Sequence, residues 1–270
     1  MDDLQVGTFQ NGVSYLKYGN GKKSLVIFPP TAALTMHIHK NPEKSIKMYK
    51  KLLPPGFSLY VLGYEESWPK NVSSFDVAKS FGEAINNNIG STKIIAISYG
   101  GMVGIPFASM FPNLTQELHL VVTAYKMSED GGVKFIRKII QHAEKGDYYR
   151  VAQEINNIPS NILIRFISKM ITWFRRKSLE ERWNPLSTIK NAFKDVIEME
   201  MKRKRILSEI KSPTYIFGGV KDRLFTPEIF KETQRLIPSA KLFLYKGAGH
   251  LLPLTRFRSF KRTIWQILEG

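Results

Sequence analysis

Short apolar runs and apolar positions at helical spacing alternate along the first half of this chain. Residues 6–18 alternate apolar and polar positions around Gln10-Asn11-Gly12, a pattern that predicts a β-hairpin with a primed turn at Asn-Gly. Residues 24–28, 57–62, 93–97 and 118–123 are continuous apolar runs, the pattern of strands buried on both faces. Between them, residues 41–53 carry Ile46, Met48, Tyr49, Leu52 and Leu53 at helical spacing with lysines opposite, and stop before Pro54-Pro55-Gly56. Ser73 or Ser74 caps a further helix to about Asn88, with Asp76 in its first turn.

The pattern then changes. From about Ser128 to Leu207 only helical periodicity is present, and Ile162, Leu163, Phe166, Ile167, Met170, Ile171 and Phe174 form one stripe at three-and-four spacing. Packing within the helical segment is the preferred reading of that stripe over a lipid-facing surface. Trp173, Trp183, Tyr148 and Tyr149 add bulk. Alternation returns with a strand at 214–217, a helix at 227–236, a strand at 241–245 and a closing helix at 257–268. The expectation is an α/β fold: a mainly parallel eight-stranded sheet with helices on both faces, interrupted by an all-helical insertion. The boundaries are 1–127 for the first part of the core, 128–206 for the insertion and 207–270 for the second part. There is no internal repeat and no low-complexity linker.

The stretch Lys93-Ile94-Ile95-Ala96-Ile97-Ser98-Tyr99-Gly100-Gly101-Met102-Val103-Gly104 reads as strand, tight turn and helix, with Ser98 at the apex. Such a turn lifts the serine Oγ out of the sheet edge and aims the first amides of the helix at an anion forming there. Ala96-Ile97-Ser98-Tyr99-Gly100 resembles the nucleophile elbow of the α/β-hydrolase superfamily, G-x-S-x-G, with alanine at the first small position. The resemblance implies a serine nucleophile with a histidine base and an acid. The histidine loop is matched by Tyr245-Lys246-Gly247-Ala248-Gly249-His250, and the acid loop by Phe217-Gly218-Gly219-Val220-Lys221-Asp222. Ser98, Asp222 and His250 follow in the chain order of that fold. An acid one strand earlier nominates Glu129 or Asp130, in a stretch without the glycine lead-in. The family's oxyanion hole implies backbone N–H groups from Tyr99 and from the loop after the third strand. There Pro29 and Pro30 have no N–H to give, which leaves Thr31, with Ala32 as the alternative. The family often carries His-Gly where this chain has Pro29-Pro30. The helical insertion matches the family's cap in placement.

Composition narrows the setting. Of 270 residues, 43% are apolar, with 17 Phe, 11 Tyr and 4 Trp, enough for a sizeable core. The acidic start Met1-Asp2-Asp3 lacks an apolar segment, which argues against a secretory signal. With zero Cys, disulfides, thiol nucleophiles and Cys-ligated metals are excluded. A cytoplasmic protein is expected. His37-x-His39 lacks a third ligand at metal-binding spacing, so a local role is preferred, with one imidazole placed near substrate as the alternative. The net charge is +17, and residues 131–206 hold 17 Lys and Arg against 8 Asp and Glu, a net of +9. Arg175-Arg176-Lys177 and Lys202-Arg203-Lys204-Arg205 are the dense points. A solvated helical face is set beside attraction of an anionic substrate or of an acidic membrane surface. No nucleic-acid module accompanies the charge, so no nucleic-acid partner is expected.

The sequence therefore points to a serine hydrolase of carboxylesterase type acting on a small-molecule acyl compound, with no cofactor or metal. C–C bond hydrolysis, aminopeptidase-type amide cleavage and an inert hydrolase-fold binding protein are the alternatives. Fold alone does not choose among them.

Overall fold

In the computed structural model, which describes residues 4–158 and 162–270, eight strands join in one sheet. Residues 1–3, on which the expectation of no secretory signal rests, lie outside the described residues. The strands are β1 (Leu4–Thr8), β2 (Ser14–Tyr18), β3 (Lys23–Phe28), β4 (Phe57–Leu62), β5 (Thr92–Ile97), β6 (Thr115–Val121), β7 (Thr214–Gly219) and β8 (Ala240–Tyr245). Their order is β1-β2-β4-β3-β5-β6-β7-β8. The pairs β1–β2 and β2–β4 are antiparallel, and all pairs from β4 to β8 are parallel.

Helices α1 (Ala32–Thr35) and α2 (Pro42–Lys50) follow β3, α3 (Ser74–Asn88) follows β4, and α4 (Tyr99–Met110) follows β5. Between β6 and β7 lie α5 (Lys134–Glu144), α6 (Tyr148–Ile155), α7 (Ile162–Phe174), α8 (Leu179–Arg182), α9 (Leu186–Glu198) and α10 (Glu200–Ile206). Helix α11 (Pro227–Leu236) joins β7 to β8, and α12 (Leu252–Thr255) and α13 (Phe257–Glu269) close the chain. Helix α3 starts where its sequence demands. Ser73 accepts from the Asp76 amide while the Asp76 carboxylate accepts from the Ser73 amide, a reciprocal capping box.

Register explains why both faces of the sheet are covered. Phe28, Ala96, Leu120 and Ile216 share one row and one face, where Phe28 meets Phe81 of α3 and Phe107 of α4. Ile97, Val121 and Phe217 point to the other face, where Phe217 meets Phe260 of α13 edge-on. Being buried on both faces, these strands have no polar alternation. Their C-terminal ends lie at one edge of the sheet, where open α/β sheets place ligands.

Four local expectations need correction. The hairpin turn is not primed: Gly12 N–H donates to Phe9 O, and Gly12 alone takes a positive φ of 86°, whereas a primed turn needs two such residues. Strand β6 ends at Val121 rather than Thr123, because Val122 adopts φ 47° and turns the chain out of the sheet. The basic run at 202–205 is not one solvated face. Arg203 is buried, donating to the carbonyls of Tyr125 and Val196, and Lys204 pairs with Glu232 at 3.0 Å. The apolar stripe of α7 does not pack inward, and no residue of this helix is buried. Its polar side turns to α6 instead, where the Asn156 amide donates to Thr172 Oγ1 at 2.7 Å.

The helical segment is tied to the core elsewhere. Asn184 donates through its amide to Leu34 O, Thr188 Oγ1 donates to Glu66 O, and the Asn191 amide donates to Trp68 O. Among the described residues no helix is long and apolar enough to cross a membrane.

Candidate active site

Ser98 sits between β5 and α4 with φ 50° and ψ −115°, a conformation that non-glycine residues rarely take. Such strain costs about 1–3 kcal/mol and persists only where surrounding contacts fix it. Here the contacts are visible. Ser98 N–H donates to Val121 O, and Gly101 N–H donates to Ser98 O. A Cβ on Gly100 would lie 2.0 Å from Phe28 O, and one on Gly101 2.2 Å from Thr123 Cγ2. Side chains at these two positions would push the turn away from the sheet. Ala96, where the elbow motif has glycine, faces Gly104 one turn into α4, whose added Cβ would lie 2.7 Å from the Ala96 methyl. The missing glycine of the strand is supplied by the helix.

Ser98 Oγ lies 2.9 Å from His250 Nε2, and His250 Nδ1 lies 2.9 Å from Asp222 Oδ2. An ionised carboxylate only accepts hydrogen bonds, so Nδ1 carries the ring proton and leaves Nε2 to accept from the serine hydroxyl. Asp222 is buried, and its Oδ1 accepts from the amides of Leu224 at 2.9 Å and Phe225 at 3.2 Å. His250 is buried as well, its ring stacked on Phe225 at 5.7 Å between centroids. The two loops that carry Asp222 and His250 are locked together. Lys221 N–H donates to Ala248 O at 2.7 Å, and Gly219 runs so close to Ala248 O that a Cβ would lie 2.5 Å from it.

Thr31 and Tyr99 line one small cavity together with Ser98 and His250, whereas Ala32 lines only the neighbouring larger one. Tyr99 opens α4, so its amide is among those the helix cannot pair. The Tyr99 ring is buried, edge-on to Tyr64 at 5.3 Å, and burial raises its phenol well above the ordinary range. Glu129 and Asp130 lie elsewhere, exposed and paired with Arg137 and Lys134. His37 Nε2 meets Ser14 Oγ at 3.0 Å and His39 Nε2 meets Tyr15 O at 3.3 Å, so neither imidazole reaches the cavities at Ser98. Among the described residues no three His, Asp or Glu side chains converge to hold a metal.

Two residues escape sequence reasoning. Tyr64, buried, donates to Pro29 O at 2.7 Å and so pins the loop that carries Thr31. Val122, with its positive φ, lines the larger cavity beside Ser98. The local pattern of each run gives no signal for either.

The larger cavity has a volume of about 510 Å³ and is mostly apolar, walled by Met36, Met48, Tyr49, Trp183 and Leu254 among others. The smaller, about 30 Å³, lies among Met102, Phe135, Phe193 and Leu224. Ile155 and Ile158, at the end of α6 and just beyond it, line both.

Comparison with known proteins places the fold. The chain is 22% identical over 187 residues to Lipase 1 of Psychrobacter immobilis, a match over 65% of this chain and 53% of that protein. It thus spans about half the length of that curated relative. A hydrolase from Pseudomonas aeruginosa PA01 shares the fold at 16% identity, with 99% of each chain covered and a TM-score of 0.78. An esterase from Exiguobacterium antarcticum does so at 15% identity, with 98% of this chain and 99% of that chain covered and a TM-score of 0.74. The model of the alpha/beta hydrolase fold matches residues 61–257, from the end of β4 through β8 and including the whole helical segment, and the chain belongs to that family.

Proposed function

We propose that this protein is a serine hydrolase of carboxylesterase type that cleaves a carboxylic ester through an acyl-enzyme. The observation that carries the reading is the hydrogen-bonded chain from Ser98 Oγ through the His250 imidazole to Asp222, both links at 2.9 Å, opening on an apolar cavity.

Ser98 Oγ attacks the ester carbonyl carbon as His250 Nε2 takes its proton, and Asp222 stabilises the imidazolium that forms. The amides of Thr31 and Tyr99 donate to the oxyanion, each worth about 3 kcal/mol in the transition state. Collapse of the tetrahedral intermediate expels the alkoxide, which takes the proton from His250. Water, deprotonated by the same imidazole, then releases the acid and restores Ser98. The chemistry needs no cofactor.

The cavities support an ester with one short and one long apolar part. The 30 Å³ space holds roughly two water-sized groups, and the 510 Å³ space an extended chain. Lys44 is the fixed cation among the described lining residues of the larger cavity, so an anionic group of a substrate fits at that end. Residues 128–206 act as a cap, since Ile155, Ile158 and Trp183 wall the larger cavity.

The test is labelling with a fluorophosphonate, together with hydrolysis of p-nitrophenyl esters of graded chain length, for wild type, Ser98→Ala and His250→Ala. Labelling and turnover lost in both variants are expected. Tight ligand binding by a folded wild type that is neither labelled nor active would replace this reading with a binding protein.

A further inference from the structure

Helix α7 presents its surface the wrong way round for a protein facing only water. Its sequence is amphipathic, and an amphipathic helix ordinarily turns its apolar stripe to the core. Here Arg165, Ser168, Lys169 and Thr172 form the half-buried side, held to α6 by the Asn156 amide, which donates to Thr172 Oγ1 at 2.7 Å and to Ser168 O at 3.4 Å. Ile162, Phe166, Ile167, Met170, Trp173 and Phe174 are exposed, with Phe174 70% and Phe166 61% accessible. Contiguous apolar surface of this kind marks a contact with something outside the molecule.

Charge decides what covers it. Residues 162–177 carry Arg165, Lys169, Arg175, Arg176 and Lys177 and no acidic side chain, and the last three are exposed. The Arg176 guanidinium lies 4.5 Å from the Trp173 ring, at the border between the apolar face and the charge. Two copies meeting on this face about a two-fold axis would set these cations against each other. A bilayer with anionic headgroups satisfies both features at once. Acyl chains take the apolar face, phosphates meet the cations, and tryptophan belongs at that boundary.

We propose that α7 docks the protein on the surface of an anionic phospholipid bilayer, the helix lying in the plane of the interface. The docking stands independently of the chemistry at Ser98. Its geometric consequence is that the larger cavity is carried to the lipid, because Asn156, which anchors α7, lines that cavity together with Ile155 and Ile158.

The experiment is co-sedimentation of the full chain with vesicles of phosphatidylcholine alone and of phosphatidylcholine mixed with phosphatidylglycerol, with tryptophan emission followed in parallel. Binding to the mixed vesicles at least tenfold tighter than to phosphatidylcholine is expected, with a blue shift that Trp173→Phe diminishes. Phe166→Ser/Phe174→Ser should lose binding to both. Arg175→Gln/Arg176→Gln/Lys177→Gln should bind the mixed vesicles on the order of a hundredfold more weakly, since each surface cation contributes roughly a factor of five. Ser98→Ala should bind like wild type, which separates docking from catalysis. Circular dichroism and thermal melts establish that each variant is folded. Three results overturn the proposal: no sedimentation of folded wild type, equal binding to both vesicle types, or a dimer in light scattering that Phe166→Ser/Phe174→Ser dissolves.

Discussion

The hydroxyl of Tyr64 donates to the carbonyl oxygen of Pro29 at 2.7 Å, while the same ring stands edge-on to Tyr99 at 5.3 Å. One side chain therefore braces both backbone segments whose amides face the proposed oxyanion. Tyr64→Phe keeps the ring contacts and leaves a buried carbonyl without its donor, at a cost of about 1–3 kcal/mol. We expect a lower denaturation midpoint and a kcat reduced about tenfold with KM little changed, because a displaced donor forfeits part of the hundredfold or more that losing one costs. A kcat unchanged in the destabilised variant would reduce Tyr64 to packing.

Ala96 and Gly104 form a volume-matched pair, since a Cβ on Gly104 would lie 2.7 Å from the Ala96 methyl. Gly104→Ala should destabilise by about 1–3 kcal/mol through overpacking. Ala96→Gly in the same chain should restore most of that loss, giving a positive coupling in a double-mutant cycle read by urea unfolding. Additive effects would disprove the pairing.

Asp222→Asn preserves volume but changes what faces His250 Nδ1. An amide can donate to Nδ1 and so stabilise the tautomer with its proton on Nε2, where it cannot accept from Ser98. The proposed ester turnover should fall on the order of a thousandfold or more, while the fold persists. Near-normal turnover would exclude Asp222 as the orienting acid.

His119 is buried with its ring against Tyr215 and Phe217 of β7, and its pKa is lowered, first by desolvation and against the pull of Glu117. The unfolded chain therefore binds this proton more readily than the folded one. The contribution is favourable above the ordinary histidine pKa near 6.5 and is lost as pH falls through the folded value. His37, also lowered by burial, acts in the same direction. Between pH 7 and 5 the unfolding free energy should decline, and His119→Phe, which keeps the stacking, should flatten that slope without abolishing it. An unchanged slope would show that His119 does not contribute.

The alternation of strand and helix was legible because strands covered on both faces must be apolar throughout, and each such run stands between helix caps or prolines. The convergence of Ser98, Asp222 and His250 was legible for a related reason. Each lies just beyond a strand's C-terminal end, in a turn where small residues permit close backbone approach. The partnership of Tyr64 with Pro29 was not legible, since it depends on packing between residues 35 apart in sequence. The conformation of Val122 contradicts its own β-branched preference and arises only from the fold around it. For α7, periodicity revealed the stripe but not the direction it faces, which is decided by the hydrogen bonds of Asn156.

Ile155 and Ile158 form a party wall between the two cavities at Ser98. In the proposed reaction the two sides of the substrate are therefore not independent in their tolerance. Any change that trims these isoleucines gives room to both sides at once, and any rotation of the α6 terminus gives to one what it takes from the other. In the proposed reaction, selectivity for the acyl part and for the leaving group should therefore change together, because one wall bounds both.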